Sequence, residues 1–203
     1  AYKCYGIPYV VTEHASSING GKVTPGQATT LRTAYKDARK IICVGTQLKQ
    51  NLTPYLDRPD KAIVIPNFVD STFRPNGKQT EKEKSFTFVS VGNLSRRKGF
   101  AELIDAFARH FSDKPHVSLV IAGDGEEEDN LRQQIHGLHL EGQISLAGRL
   151  PREEVADLLA RSDAFVLASY AETFGIVFIE AMAAGLPAIG TVCGGPEDII
   201  TPE

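Results

Sequence analysis

Short apolar runs separated by helical stripes recur along this chain. Residues 8–12 (PYVVT), 41–45 (IICVG) and 62–66 (AIVIP) each read as a buried strand. A Gly-rich stretch, 16–22, follows the first and reads as a loop. Thr24-Pro25 has the form of an N-cap followed by proline at the first helical position. Ala28, Leu31, Ala34 and Ala38 then fall on one helical stripe. From 71 to 85 the pattern changes to STFRPNGKQTEKEKS, with few apolar residues and many charges. This stretch reads as a connector or domain hinge, the alternative being a long surface loop within one domain.

Beyond it, strands and helices alternate with little interruption. Strands are expected at 86–91, 117–122, 144–146, 164–167 and 188–190. Helices are expected at 99–111, 128–138, 152–161 and 175–184, the first with Phe100, Leu103, Ile104, Phe107 and Phe111 on one face. Repeated strand–helix units predict an α/β fold, a Rossmann-like parallel sheet with helices on both faces. The expected division is 1–75 for part of one domain, 76–85 for the hinge and 86–203 for a second domain.

Composition narrows the function classes. The 203 residues, 42% hydrophobic and 23% charged, suit a globular protein with one sizeable core or two small ones. A net charge of −3 gives no sign of a nucleic-acid partner. Three scattered cysteines, Cys4, Cys43 and Cys193, form no CxxC pair, so neither a zinc site nor a disulfide framework is expected and a reducing compartment is the simpler setting. No apolar run approaches the roughly 18 residues of a membrane span. The opening Ala1-Tyr2-Lys3 shows no signal-peptide pattern and no initiator Met, so it need not be the natural terminus.

In parallel sheets ligands bind beyond the carboxyl ends of the strands, which directs attention to four loops. Gly92-Asn93-Leu94-Ser95-Arg96-Arg97-Lys98-Gly99 brings three cations to a helix start, a combination suited to phosphate or, alternatively, a solvated basic loop. Gly123-Asp124-Gly125 is not the GxGxxG dinucleotide fingerprint and is equally a tight turn into a helix. Arg149 lines a ligand pocket or faces water. The fourth loop runs from Ser169 through Glu172 and Gly175 into a markedly apolar helix that contains Glu180. A lone carboxylate in a buried helix needs a partner. Two carboxylates flanking a helix start at Phe174, Gly175 and Ile176 suit a ligand with phosphate in the middle and hydroxyls at both ends.

Glu172 and Glu180, seven residues apart, together with Phe174-Gly175, Glu180-Ala181-Met182-Ala183 and Gly185-Leu186-Pro187, resemble the E-x7-E signature of family 4 retaining glycosyltransferases of the GT-B fold. Ile65-Pro66-Asn67-Phe68-Val69-Asp70 with Phe73 and Pro75 is similar to that family's element before its interdomain hinge. Gly92–Gly99 is similar to its phosphate loop, Gly123–Gly125 and 146–150 to its loops near the base, and Thr12-Glu13-His14 to a strand end carrying a histidine.

The resemblance implies that Glu172 touches the transferred sugar, Glu180 holds the ribose hydroxyls, and the backbone at Phe174, Gly175 and Ile176 binds diphosphate. It implies that Lys98, with Arg96 or Arg97, neutralises the leaving group, that Gly92, Asn93, Gly123 and Arg149 line the donor site, and that His14 faces the donor sugar. It further implies a nucleotide-sugar donor rather than a cofactor, a glycan, lipid-linked or small-molecule acceptor, and a cytoplasmic protein in peripheral contact with the inner face of a membrane through residues preceding this chain. No Asp-x-Asp pattern is present, so no metal is expected. Two departures stand out: Asn93 where the family usually has arginine, and Phe68 where it usually has glycine. A GT-B enzyme has two similar domains, so a chain of this length is expected to hold the donor site and lack the acceptor side. The competing readings are a non-catalytic nucleotide-binding module or degenerate GT-B homologue, a GT-B epimerase or phosphorylase, and a Rossmann oxidoreductase, which the missing GxGxxG argues against.

Overall fold

A computed structural model describes residues 5–21, 23–75 and 85–200. All but Ser85 of the expected hinge 76–85 lies outside the described residues. The chain divides into two compact units. The first comprises 1–67, 171–175 and 192–203; the second comprises 68–170 and 176–191.

In the first unit, β1 (Val10–Glu13), β2 (Lys40–Cys43) and β3 (Ala62–Val64) form a parallel sheet in that order. The expected loop at 16–22 contains a short helix, α1 (Ser16–Asn19), because Ile18 anchors it in the core at 4% exposure. Helix α2 (Pro25–Lys36) begins as the Thr24-Pro25 pair predicts: Thr24 and Gln27 form a reciprocal capping box. Its buried line differs from the alanine stripe. Ala34 is exposed and Tyr35 is buried, so Ala28, Leu31, Tyr35 and Ala38 form the inward face at spacings of three, four and three. Beyond the end of α2, buried Lys61 donates to the carbonyls of Tyr35 and Lys36 and to Asp57, satisfying acceptors a helix end leaves open. Helix α3 (Thr46–Leu52) escapes the sequence reading, since TQLKQNL carries only two apolar residues; both, Leu48 and Leu52, are fully buried.

The second unit holds five parallel strands: β4 (Phe86–Val91), β5 (Val117–Ala122), β6 (Ile144–Gly148), β7 (Ala164–Leu167) and β8 (Ala188–Gly190). Their order is β6-β5-β4-β7-β8. Helices α4 (Phe100–Phe111), α5 (Glu128–Gly137), α6 (Arg152–Arg161) and α7 (Ile176–Ala183) connect them. Phe100, Leu103, Ile104 and Phe107 of α4 are buried as their spacing predicts. Phe165 of β7 stacks edge-on against Phe178 of α7 at 5.2 Å. From central β4 the chain winds outward through β5 and β6, then returns to add β7 and β8 on the other side. The reversal lies between β4 and β7, where a crevice opens beyond the strand ends in sheets of this kind.

Candidate functional site

Two of the four loops singled out by the sequence, those after β4 and β7, leave the sheet at this reversal. After β4, Gly92 and Asn93 lead through a 3-10 turn at Arg96–Lys98 into α4. After β7 the chain passes Ala168, Ser169 and Tyr170. The two loops pack backbone to backbone, with the Tyr170 amide donating to the Arg97 carbonyl at 2.8 Å. Gly99 makes this approach possible: its φ is +66°, and a Cβ there would lie 2.0 Å from the Ala168 carbonyl oxygen. The stem of Lys98 folds back over Gly92, where a Cβ on the glycine would lie 3.7 Å from Lys98 Cε. Helix α4 starts at Gly99 without a side-chain cap, so its first N–H groups and three cations stand at the carboxyl end of the central strand.

Gly123-Asp124-Gly125 is a scaffold for this loop. At Gly123 a Cβ would meet the Gly92 carbonyl at 1.8 Å, and at Gly125 the Leu94 carbonyl at 2.5 Å. The Leu94 amide donates to the Asp124 carbonyl at 2.8 Å, and the Glu127 amide to the Leu94 carbonyl at 2.9 Å. Asn93 is engaged in the same scaffold, its side-chain amide donating to the Asp124 carbonyl at 3.1 Å. Beside them a pocket of about 370 Å³ is lined by Gly92, Asn93, Gly123, Asp124, Arg149 and Leu150, among others. Arg149 stands at its rim, largely exposed and 3.9 Å from Asp124.

Glu180, on α7, is buried in the second unit and has the partner its burial demands. Arg152 Nη1 lies 3.2 Å from Glu180 Oε1, and Arg152 Nη2 lies 3.0 Å from Asp70 Oδ2. Burial pushes the Glu180 carboxyl above its ordinary pKa, Arg152 opposes that rise and Asp70 adds to it. Arg152 was not among the residues the sequence singled out. A signal did exist: it is the first residue of α6, where the helix dipole disfavours a cation, so a partner was to be sought.

Glu172, Phe174 and Gly175 belong to the first unit and Ile176 and Glu180 to the second, so the boundary between units falls inside the E-x7-E segment. Within the first unit the Asn19 side chain donates to the Glu172 carbonyl at 2.9 Å and faces the Gly194 carbonyl at 3.4 Å. Asn51 supports Asn19 in turn, and Gln47 supports Asn51. Gly195 packs against Phe174 so closely that a Cβ would lie 2.7 Å from the Phe174 nitrogen. Glu172 and Phe174 are both buried. His14 follows β1 with an exposed side chain. Its backbone is fixed by Glu13, whose carboxylate accepts from the His14 and Ala15 amides and from the Tyr35 hydroxyl. Burial first, and Glu13 second, pushes the Cys43 thiol up to about 11, so it stays protonated at neutral pH.

Residues 73–203 match the family described as glycosyl transferases group 1, and residues 1–73 match glycosyltransferase family 4. The chain belongs to the group 1 glycosyl transferases. Among relatives in this family, it is 31% identical to the N-acetyl-alpha-D-glucosaminyl L-malate synthase of Bacillus anthracis over 202 residues, covering 96% of this chain and 52% of that protein. It is 31% identical to the phosphatidylinositol N-acetylglucosaminyltransferase gpi3 subunit of Schizosaccharomyces pombe, covering 84% of this chain and 38% of that one. Anabaena HepE, crystallised with UDP and glucose, superposes with a TM-score of 0.81 at 25% identity over 99% of this chain and 57% of that chain. These neighbours identify the fold as GT-B, and the chain spans about half the length of the relatives first matched. Among the described residues no helix is long and apolar enough to cross a membrane, and no three His, Cys, Asp or Glu side chains gather in a group that could hold a metal.

Proposed function

We propose that this chain supplies the donor-binding part of a retaining glycosyltransferase, which moves a sugar from a nucleotide-diphosphate sugar to a glycan, lipid-linked or small-molecule acceptor. The observation that carries this reading is the convergence at the β4/β7 reversal: the cation-bearing Gly92–Lys98 loop, the uncapped start of α4 and the Arg149 pocket share one end of the second sheet. Family membership and the UDP held by HepE support it.

The chemistry follows from charge. The bond between the anomeric carbon and the diphosphate oxygen breaks, and the acceptor oxygen bonds to that carbon on the same face. The acceptor proton passes to the departing phosphate. Lys98, Arg96 or Arg97 and the α4 amides stabilise the negative charge that develops. Glu180 accepts hydrogen bonds from the ribose, and the backbone at Phe174, Gly175 and Ile176 holds diphosphate. Gly92 and Asn93 belong to the phosphate loop, and Gly123 and Arg149 lie near the base. Glu172 positions the donor sugar, and His14 faces it. The donor needs no cofactor or metal in this scheme. Peripheral attachment to the inner face of a membrane belongs to this proposal as well, through residues outside this chain.

One observation favours a second reading, a non-catalytic nucleotide-binding module. Asn93 offers no cation where the family usually has one, and its amide is engaged with Asp124.

Calorimetric titration of the full chain with UDP, GDP and ADP tests the site. Binding of one of them, weakened at least about tenfold by Glu180→Ala, is the expected result. No binding by any, or no effect of Glu180→Ala, overturns the reading. Turnover of a nucleotide-sugar by a chain extended at both ends separates the enzyme from the module.

A further inference from the structure

We propose that Arg152 is a positioning residue for Glu180, and that the Asp70–Phe73 stretch holds Arg152 in the geometry this requires. The inference rests on the reading that Glu180 takes the ribose hydroxyls. Its own evidence is geometric. The guanidinium is gripped on three sides: Nη1 lies 3.2 Å from Glu180, Nη2 lies 3.0 Å from Asp70, and its carbon sits 4.7 Å above the Phe73 ring. Asp70 is itself fixed by the Thr72 amide at 2.9 Å. Phe73 is buried at 4% exposure. The fork thus joins a buried carboxylate on α7 to a segment that precedes β4, all within the second unit.

This arrangement explains two features of the sequence together. Arginine occupies the first position of α6, where Glu153 and Glu154 suit the dipole and a cation does not. Asp70 and Phe73 belong to the pre-hinge motif, for which the donor-site reading gave no task. The guanidinium engages Glu180 through Oε1 with one nitrogen and is itself held by Asp70 and Phe73, so it keeps the carboxylate charged and leaves Oε2 as the oxygen for a hydroxyl donor. Lysine lacks the fork and cannot hold both carboxylates in this way.

Among the described residues, the charged groups that act on Glu180 are Arg152 from α6 and Asp70 from the 68–75 segment. Removing Arg152 leaves burial and Asp70 unopposed, and both raise the Glu180 pKa. Glu180 then protonates at a higher pH, and the acid limb of nucleotide affinity moves upward.

The test is calorimetry on the full chain from pH 4.5 to 8 with whichever of UDP, GDP and ADP binds tightest, and with its 2′,3′-dideoxy counterpart. Arg152→Met is expected to weaken the ribonucleotide about tenfold at pH 7 and to move its acid midpoint upward. It should leave the dideoxy nucleotide, which has no hydroxyls for Glu180, within twofold of wild type. Arg152→Lys should restore most of the acid midpoint and only part of the affinity. Equal weakening of both nucleotides, or an unmoved acid midpoint, overturns the proposal and assigns Arg152 a structural role. Glu180→Gln separates the two ideas. If it leaves ribonucleotide binding intact, the ribose reading fails and this inference fails with it. If it removes the preference for the ribonucleotide while Arg152→Met does not, only the inference fails.

Discussion

At the scale of single residues, the second unit depends on glycines whose missing Cβ lets loops touch. Gly123 makes the closest approach and Gly99 one nearly as close; at Gly99 an added methyl would collide with a backbone carbonyl rather than with a side chain that can turn aside. Its φ of +66° adds a further cost of about 1 kcal/mol for any L residue. Gly99→Ala is therefore expected to lower stability by about 3 kcal/mol or more. It should also part the β4 and β7 loops joined by the Tyr170–Arg97 hydrogen bond. Gly92→Ala is the matched control. Its Cβ would sit 3.6 Å from Phe100 Cζ, ordinary contact, and should cost under about 1 kcal/mol. Urea unfolding of the two variants checks the contrast; similar losses would show that the collision relaxes. The glycines were legible in the sequence as turn residues. Which carbonyl each approaches was not, because it depends on a loop from another strand.

At the scale of elements, legibility followed the amount of apolar surface. Strands β5 and β7 and the apolar face of α4 were plain because each buries most of an apolar run or a wide stripe. Helices α1 and α3 were not, because tertiary contacts stabilise short polar segments that local pattern does not mark. The start of α3 shows what replaces local signal. Gly45 offers no side-chain cap, and a Cβ on it would lie 2.8 Å from Asp198 Oδ2. Asp198, 152 positions along the chain, accepts a hydrogen bond from the Thr46 amide. A carboxylate at a helix N-terminus also meets the positive end of the dipole. Asp198→Ala is expected to cost about 1 kcal/mol and Asp198→Asn less, since the amide oxygen still accepts. Amide exchange at Thr46 should quicken in the alanine variant. An unchanged exchange rate there would mean that water or a neighbour caps the helix equally well.

At the scale of the whole molecule, the fold class and the position of the loops at the β4/β7 reversal followed from the order of strands and helices. The makeup of the first unit did not. A chain read in order suggests one cut at 76–85, yet the first unit also contains 171–175 and 192–203, while 68–75 group with the second. Two hydrogen bonds and one close packing contact explain the grouping: Asn19 holds the Glu172 carbonyl, Asp198 holds the Thr46 amide, and Gly195 seats Phe174. Residues 1–75 alone keep three strands but lose each of these partners, and a sheet that small has little core of its own. Expressed alone, 1–75 is expected to show the dispersion-poor amide spectrum of an unfolded chain. Mixed with 68–203, which carries the missing segments and the Asp70–Phe73 support for Arg152, it should gain dispersed resonances and protected amides in β1 and β2. A cooperative unfolding transition in 1–75 by itself would show that the three-stranded sheet is self-sufficient. It would also reduce the later segments to a covering, with no part in holding the first unit together.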